Sequence, residues 1–441
     1  MRSLNGGAKM ISSKLKKSSK FLDLLNSDPN EDDSPRTSTN SDHSNYQTSL
    51  ENSPYMSPFI KSPWTQIAPL SVDEPSTGLI GSLIREEGHL YSIAVSGELL
   101  YTGSDSKNVR VWKNWSEFSG FKSGSGLVKA IILSGNKIFT GHQDGKIRIW
   151  KICSKDPSSY KRVGSLPRLK DFIKSSINPS SYVQVRRHRN SVWNRHFDAV
   201  SCLSLDEEAG LLYSGSWDKT MKVWRVSDSK CLESVIAHDD AINSVAVGFE
   251  NLVFRASADG NGQMWRREFN GRLCDVMVKV LLRQTTSAAL CGRRWAVRGE
   301  EAGVVTCGSF DGLVNFLERG ERAFAHGGVL PRENKLAVLC LRRRRRCLVI
   351  SGSADRSIRV LEEDEGVAPR IGVLLLTGHV GPIKCLAVEK GGDCGPEGRS
   401  WVVYSGSLDK SVKVWRVAER GKEPHVTRTD QHVIGEFETR Y

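Results

Sequence analysis

Two stretches of the sequence are nearly the same: Tyr213–Val226 reads YSGSWDKTMKVWRV, and Tyr404–Val417 reads YSGSLDKSVKVWRV. Eleven of their fourteen positions are identical. In both, alternating apolar residues flank an Asp-Lys pair, a pattern that predicts two strands joined by a tight turn. A hairpin of this length has no core of its own, so its recurrence indicates an architecture of stacked repeats.

Seven copies of this hairpin follow from aligning the Gly-Ser, turn-Asp and Trp positions. They begin at residues 101, 139, 213, 254, 306, 350 and 404 and read YTGSDSKNVRVW, FTGHQDGKIRIW, YSGSWDKTMKVW, FRASADGNGQMW, TCGSFDGLVNFL, ISGSADRSIRVL and YSGSLDKSVKVW. A further strand-like run precedes most copies, as at Val200–Leu205, and other runs separate them, as at Ile371–Leu376. Each unit therefore has four predicted strands.

These repeats resemble those of the WD-repeat family over about residues 79–417. The resemblance implies an all-β fold, a seven-bladed β-propeller with four strands in each blade. Because the last copy ends at Val417 with three strands, we expect Leu79–Ile84 to supply the fourth and close the ring, which removes exposed strand edges. Residues 1–78, rich in Ser, Asn, Asp and Pro, are predicted to form a disordered tail, and residues 418–441 a C-terminal tail.

In the WD-repeat family, a His, a Ser or Thr, the turn Asp and the Trp of a blade form a buried hydrogen-bond network. Two copies here have all four residue types. They are His196, Ser214, Asp218 and Trp224 in the third copy, and His379, Ser405, Asp409 and Trp415 in the seventh. Buried indole, imidazole and carboxylate groups must satisfy one another's hydrogen bonds, so we interpret these residues as structural, not as a catalytic triad.

Other copies depart from this pattern. Ser106 replaces the first turn Asp, and Arg255 replaces the fourth Ser or Thr. Leu317 and Leu361 replace Trp in the fifth and sixth copies. A buried group that loses its partner costs about 1–3 kcal/mol. We therefore expect blades four to six to be the less stable side of the ring.

An insert at about residues 152–195 makes the second repeat some thirty residues too long. It has ten Lys or Arg and two Asp or Glu, a net charge of +8. Its LPRLKDFIKSS stretch predicts a helix that ends at Asn178-Pro179, and YVQVRRHRNSVW predicts a basic strand. One face of this helix is predicted to contain Leu166, Leu169, Phe172 and Ile173.

The insert has two interpretations. It is either a solvated basic loop or an electropositive docking surface for acidic protein, phosphate or nucleic acid, with Arg186, Arg187 and Arg189 as contact residues. Together with the blades, the stretch LKDFIKSSINPSSYVQVRRHRNSVW is similar to the plant Jingubang-like group of WD-repeat proteins.

A second candidate partner site is the face that carries the turn Asp. In the WD-repeat family, partners often dock there through the residue just before this Asp, which is here Trp217, Phe310 or Leu408. Aromatic anchors of this kind are typical of interface hot spots. The alternative is that these side chains pack against a neighbouring loop.

No Walker loop, dinucleotide fingerprint, nucleophile elbow or metal-ligand cluster occurs in the sequence, so we expect no cofactor and no enzymatic activity. The prediction is a non-enzymatic protein-interaction scaffold or adaptor, regulatory in signalling or transcription control. Its partners are predicted to be other proteins, acidic or phosphorylated, with a transcription regulator as one candidate. The alternative is direct binding of nucleic acid or phosphate-bearing ligands through the basic insert.

The location is predicted from what the sequence lacks. No apolar run reaches the roughly 20 residues that span a bilayer, and no apolar segment of a secretory signal follows the N-terminal lysines. The ten cysteines fall mostly singly, as is typical of reduced thiols inside the cell. We predict a cytoplasmic protein, with the nucleus as a second location if Arg342–Arg346 is a nuclear signal and not a solvated turn. Four Ser-Pro steps in the N-terminal tail are candidate phosphorylation sites.

Overall fold

The computed structural model describes residues 78–84, 88–125, 127–153, 155–186, 189–248, 251–269, 273–282, 287–294, 303–319, 324–329, 334–344, 348–363, 371–391 and 400–418. Within these residues, thirty strands form seven four-stranded antiparallel sheets and one two-stranded ribbon. Apart from Gly78 and Ala418, the two predicted tails lie outside the described residues. The prediction of an all-β propeller with a partly helical insert is confirmed.

The strands form seven blades of four strands each. Blade 1 contains β2 (Leu90–Ser96), β3 (Leu99–Ser104), β4 (Asn108–Lys113) and β5 (Ser116–Lys122), and follows β1 (Gly78–Ile84). Blade 2 contains β6 (Val128–Ser134), β7 (Lys137–His142), β8 (Ile147–Ile152) and β9 (Tyr160–Leu166). After the ribbon of β10 (Tyr182–Arg186) and β11 (Arg189–Val192), blade 3 contains β12 (Val200–Asp206), β13 (Leu211–Ser216), β14 (Thr220–Arg225) and β15 (Lys230–Ile236).

The remaining blades continue this order. Blade 4 contains β16 (Ile242–Val247), β17 (Leu252–Ser257), β18 (Gly262–Phe269) and β19 (Leu273–Leu282). Blade 5 contains β20 (Ser287–Arg294), β21 (Gly303–Ser309), β22 (Val314–Arg319) and β23 (Phe324–Val329). Blade 6 contains β24 (Val338–Arg344), β25 (Leu348–Ser353), β26 (Ile358–Glu363) and β27 (Ile371–Leu376). Blade 7 contains β28 (Ile383–Lys390), β29 (Ser400–Ser407), β30 (Ser411–Ala418) and β1.

The first strand of each blade lies at the centre of the ring. Strands β2, β6, β12, β16, β20, β24 and β28 each contact the next in that order, and β28 contacts β2. The apolar core lies between neighbouring blades, as where Phe139 and Ile149 of blade 2 pack with Leu212 and Trp224 of blade 3. Each blade therefore covers the apolar face of the next, which a single hairpin cannot do.

The ring closes through the N-terminal strand. β1 pairs antiparallel with β30, with Leu79 opposite Trp415 and Leu83 opposite Val412. Leu83 is buried in the core between blades 7 and 1. The prediction that Leu79–Ile84 supplies the outer strand of the last blade is confirmed.

The Asp-Lys pair turns the chain between the second and third strands of a blade. Lys219 has φ 72° and Lys410 has φ 68°, both in the left-handed region that favours glycine. Three other copies have glycine after the turn Asp, as at Gly260 with φ 84°. The Asp-Lys and Asp-Gly pairs of the repeats are thus two solutions to one turn. The face of the ring that carries these turns is called the turn face below.

The glycine before the final Ser of YSGS is required by close packing between blades. A Cβ atom on Gly215 would lie 2.6 Å from Cys202 Sγ and 2.6 Å from a methyl group of Ile242 in the next blade. Gly406 faces Cys385 Sγ at the same 2.6 Å. Any side chain here would push the neighbouring blade outward.

The insert is shorter than predicted. β9 is the fourth strand of blade 2, so the extra segment is residues 167–195 and not 152–195. It begins with helix α1 (Leu169–Ile177) and a short 3-10 helix (Pro179–Ser181) and ends with the β10–β11 ribbon. Leu166 pairs with Ile147 in the blade and does not share a helix face, which corrects the prediction. Within the described part of the chain, no helix is long and apolar enough to cross a membrane.

Candidate functional site

The four predicted network residues of blade 3 form one chain of hydrogen bonds. The Trp224 indole N–H donates to Ser214 Oγ at 2.8 Å, and Ser214 Oγ lies 2.7 Å from His196 Nε2. His196 Nδ1 lies 3.3 Å from Asp218 Oδ2. The backbone N–H of Phe197 also donates to this carboxylate, at 2.7 Å. The network ties the start of β12 to the turn after β13.

Burial sets the charges in this network. Burial lowers the pKa of His196 by more than the nearby Asp218 carboxylate raises it, so the imidazole is neutral at pH 7. Burial alone would raise the pKa of Asp218, but the hydrogen bonds it accepts from His196 and Thr220 hold it below the usual range. A neutral His196 that donates from Nδ1 can accept a hydrogen bond from the Ser214 hydroxyl at Nε2.

Ser214, His196 and Asp218 have the connectivity of a hydrolase triad, but they cannot act as one here. Ser214 is 0% exposed, and its oxygen already accepts the indole hydrogen bond. A nucleophile must reach a substrate carbonyl, which this packing forbids. The geometry therefore supports a structural role for the network.

Blade 7 repeats the same arrangement. Trp415 donates to Ser405 Oγ at 2.8 Å, and Ser405 Oγ lies 2.7 Å from His379 Nε2. His379 Nδ1 lies 2.7 Å from Asp409 Oδ2. Burial alone would raise the pKa of Asp409, but the hydrogen bond with His379 keeps this pKa below its usual range. The structure thus brings together both predicted sets of four.

Blades 1 and 2 use different residues in the same places. In blade 1, Ser106 occupies the turn position, and the neighbouring Asp105 accepts the His89 backbone N–H at 3.2 Å. In blade 2, His142 of the turn, and not a His before the first strand, lies 2.8 Å from Thr140 Oγ1. Thr140 accepts the Trp150 indole hydrogen bond at 2.9 Å. These substitutions keep the indole satisfied.

Blade 4 replaces the hydroxyl by a guanidinium. Arg255 is fully buried, with its guanidinium carbon 3.9 Å from the ring centroid of Trp265. It pairs with Asp275 of the outer strand at 3.4 Å, and the Trp265 indole donates to Gln263 Oε1 at 2.8 Å. Burial lowers the pKa of Arg255 to about 10. Stacking and an ion pair therefore replace the hydroxyl's hydrogen bond at this position.

Trp217 belongs to a cluster on the turn face that joins three blades. Lys129 Nζ of blade 2 lies 3.7 Å from the ring centroid of Tyr91 in blade 1 and 4.9 Å from that of Trp217 in blade 3. Tyr91 and Lys129 are the second residues of β2 and β6, and Trp217 lies in the turn after β13. The cluster is thus located at the inner rim of the turn face.

The cluster carries an unusual charge. Burial, and then the positive charge of Lys384 from blade 7, lower the pKa of Lys129 to about 7, while the Asp105 carboxylate opposes this shift. Burial and Asp105 raise the pKa of Tyr91. An ammonium held between two aromatic rings can exchange this contact for one with an acidic group of a partner. Sequence reasoning missed Tyr91 and Lys129, because their signal is only their shared position after the start of an inner strand.

The other two predicted turn-face residues do not join this cluster. Phe310 lies in the turn of blade 5, two blades away from Trp217, and is half-buried. Leu408 is 8% exposed, and its carbonyl accepts a hydrogen bond from His89 Nδ1 of blade 1. Leu408 is therefore a contact between blades 7 and 1 and is not accessible to a partner.

Asn194 holds helix α1 within the insert, and Lys222 fixes the insert to the ring. Asn194 Nδ2 donates to the Asp171 carbonyl at 3.2 Å and to Ser175 Oγ at 3.1 Å, both on α1. Lys222 of β14 is buried and donates to the Trp193 carbonyl at 2.6 Å. Of the predicted contact arginines, Arg186 ends β10 and Arg189 begins β11, whereas Arg187 lies outside the described residues.

Comparisons with known proteins agree with this geometry. The model of the family described as "WD domain, G-beta repeat" matches residues 81–113, 188–225 and 372–416. The WD repeat-containing protein pop1 of Schizosaccharomyces pombe is 26% identical over 208 residues, which cover 40% of this chain and 26% of pop1. The CCR4-associated factor 4 homolog of Vanderwaltozyma polyspora is 35% identical over 74 residues, 16% of this chain and 11% of the relative.

The chain spans about a tenth to a quarter of the length of these curated relatives. The crystal structure of the computationally designed Ika8 protein superposes with a TM-score of 0.50 and 18% identity, over 77% of this chain and 100% of that chain, and shows the fold alone. The narrower likeness to the plant Jingubang-like group finds no support here.

The fold is a seven-sheet β-propeller, and three segments of it match the WD-repeat family model: residues 81–113, 188–225 and 372–416.

Proposed function

We propose that this protein is a non-enzymatic scaffold that binds another protein at the inner rim of its turn face, through Tyr91, Lys129 and Trp217. The observation that carries the proposal is the sharing of one ammonium between aromatic rings of different blades. Tyr91 lies on a strand and Trp217 in the tight turn after β13, so little conformational entropy is lost when a partner binds. Trp and Tyr at the centre of a patch are the residue types that dominate interface energies.

The chemistry of the cluster favours an acidic group on the partner. Burial lowers the pKa of Lys129 to about 7, because its ammonium at the rim is less well solvated than that of a surface lysine. A carboxylate or phosphate of the partner at this position would stabilise the Lys129 ammonium, in place of the water that burial excludes. We therefore propose an acidic or phosphorylated protein segment as the ligand, with a transcription regulator as one candidate.

We propose that the protein regulates signalling or transcription by binding a partner and not by catalysing a reaction. The matched relative named CCR4-associated factor 4 homolog is described by its name as an associated factor. We propose an associating role of the same general kind for this chain, in the cytoplasm and, if Arg342–Arg346 acts as a signal, in the nucleus. Residues 345 and 346 of that run lie outside the described residues.

The experiment that tests the proposal is quantitative capture of partners from cell extract on three baits: the intact chain, a Trp217→Ala chain and a Phe118→Ala chain. Phe118 is 40% exposed on the outer strand of blade 1, so it controls for loss of an exposed aromatic ring. We expect at least one captured protein to be retained by the Phe118→Ala bait and lost from the Trp217→Ala bait. Identical sets on all three baits would contradict the proposal.

The second candidate function is direct binding of nucleic acid or phosphate-bearing ligands through the insert. The observation in its favour is charge: residues 167–195 contain seven Lys or Arg and one Asp. Binding to a phosphate backbone would weaken steeply with salt and would not depend on Trp217. Retention of a generic duplex DNA or RNA at physiological salt would favour this alternative.

A further inference from the structure

Helix α1 presents three of its four apolar residues to solvent. Leu169 is 72% exposed, Ile173 49% and Ile177 76%. Their spacing of four residues places them in one stripe along the helix. On a surface helix, such a stripe normally faces the core. In α1 the arrangement is reversed, and none of its residues is buried.

Polar contacts hold the opposite side of the helix. Asn194 binds Ser175 Oγ and the Asp171 carbonyl, and the Tyr182 hydroxyl donates to the Ser176 carbonyl at 3.0 Å. Arg195 lies over the ring of Phe172, with its guanidinium carbon 5.5 Å from the centroid. The helix is thus fixed in place while its apolar stripe remains uncovered.

The positive charges around the apolar stripe favour a binding segment that is acidic. Lys170 and Lys174 are exposed and follow Leu169 and Ile173 directly, so they lie along one edge of the stripe. The whole segment 167–195 has a net charge of +6. The stripe therefore fits a short segment that has large apolar side chains on one part and acidic side chains on another.

The N-terminal part of the chain contains such a segment. Residues 21–33 read FLDLLNSDPNEDD, with Phe and three Leu among the first five residues, five acidic residues and no Lys or Arg. Forty-four residues separate the segment from Gly78. If those residues are disordered, as their composition predicts, a chain of that length has a root-mean-square span of about 35–40 Å, enough to reach across neighbouring blades.

We propose that residues 21–33 dock on the exposed face of α1. Phe21, Leu24 and Leu25 cover the apolar stripe, and the acidic residues that follow pair with Lys170 and Lys174. Each apolar side chain that leaves water favours docking and opposes the cost of ordering the segment. The docked segment occupies the basic surface of the insert, so an external acidic ligand must displace it.

Site-specific photo-crosslinking in the full-length chain tests the proposal. A p-benzoylphenylalanine residue is placed at Ile177 and, as a matched control, at Val380 of the turn face, since both side chains are 76% exposed. After irradiation, monomeric and dimeric products are separated and mapped by mass spectrometry. We expect position 177 in the monomer to cross-link to residues 21–33 and position 380 not to do so.

The variant Leu24→Asp/Leu25→Asp keeps the segment acidic and removes its apolar contacts. We expect it to lower the cross-link yield at position 177 by about tenfold or more, since a loss of 1.4 kcal/mol is tenfold in a binding constant. Amide hydrogen exchange of residues 21–25 should be faster in an Ile173→Ser chain than in the wild type. Equal yields from positions 177 and 380, cross-links only between two copies, or exchange that ignores Ile173→Ser would overturn the proposal.

Discussion

The ammonium of Lys129 lies 3.7 Å from the ring centroid of Tyr91, although the two residues belong to neighbouring blades. Both occupy the second position of an inner strand, so the ring brings equivalent positions of successive repeats to one rim. The ring centroid of Trp217 lies 4.9 Å from the same ammonium. A repeat architecture therefore builds a site from residues that are far apart in the sequence and unremarkable there.

The charge of Lys129 should make stability depend on pH. Its pKa is about 7 in the folded protein, below the ordinary 10.5, so the unfolded chain binds this proton more tightly. Between about pH 7 and 10.5, its contribution to the unfolding free energy should therefore rise with pH. We expect the stability difference between Lys129→Met and the wild type to favour the variant most near pH 7 and to shrink as pH rises to 10.

Denaturant unfolding at several pH values measures this difference. Lys137→Met, at an exposed lysine of blade 2, is the matched control for the loss of one lysine outside the cluster. A flat difference for Lys129→Met would show that the ammonium is not desolvated.

The turn aspartates should be worth more than one ordinary hydrogen bond each. Asp218→Ala and Asp409→Ala should each lower the unfolding free energy by about 1–3 kcal/mol, because each removes a carboxylate that binds a buried histidine and accepts a backbone N–H. Thermal melts of the two variants measure the effect, and Ser106→Asp in blade 1 serves as the tolerated companion. Melting temperatures that neither alanine changes would remove the network argument.

The same carboxylate should respond to acid. The folded-state pKa of Asp218 lies below its usual range, so its contribution is complete above about pH 4 and is lost as pH falls through the folded-state value. The stability gap between the wild type and Asp218→Asn should therefore narrow below pH 4. A gap that stays constant from pH 6 to pH 3 would show that the carboxylate is not stabilised in the fold.

Removal of β1 should open the ring. A chain that lacks residues 1–77 keeps the whole strand, whereas a chain that lacks residues 1–87 exposes the edge of β30 and uncovers the core around Leu83. We expect the shorter truncation to melt near the wild-type temperature and the longer one to melt much lower or to aggregate. Equal melting temperatures would mean that closure does not depend on this strand.

The basic insert should affect the rate of association more than stability. Reversal of Arg186, Arg187 and Arg189 to Glu should slow association with an acidic captured partner, because steering charge acts over about 8 Å at physiological salt. The wild-type rate should fall steeply with salt, and that of the variant much less. Stopped-flow or surface-binding kinetics measure this.

Three exposed lysines on other blades form the control set for that experiment: Lys122→Glu, Lys137→Glu and Lys230→Glu. They make the same change in net charge away from the insert. If both triple variants slow association equally, the effect belongs to net charge and not to the insert.

The sequence predicted the repeats well because each carries local signals. The Asp-Lys turn, the Gly of close approach and the Trp recur at fixed spacing, and the missing strand of the last blade led to β1. The insert was harder, because β9 has no motif of its own and was counted as part of the extra segment. Leu166 was placed on the helix for the same reason, since an apolar residue before Pro167 suits either a strand end or a helix start.

The candidate site could be predicted only in part. Trp217 was found from its position before the turn Asp, but Leu408 at the equivalent position is buried between blades 7 and 1. Position within a repeat does not tell which neighbour covers a side chain. The sequence also does not show which side of α1 faces the rest of the protein. That side is set by contacts such as the one from Asn194, which lies seventeen residues beyond the end of the helix.

The central claim is that a partner protein binds at the rim formed by Tyr91, Lys129 and Trp217. Its most direct test is the equilibrium dissociation constant of a captured partner for the wild type, Trp217→Ala and the control Phe118→Ala, each checked for an unchanged melting temperature. We predict at least about thirtyfold weaker binding for Trp217→Ala, the loss of about 2 kcal/mol expected of a buried hot-spot ring, and wild-type affinity for Phe118→Ala. Wild-type affinity of every captured partner for a folded Trp217→Ala chain would contradict the claim.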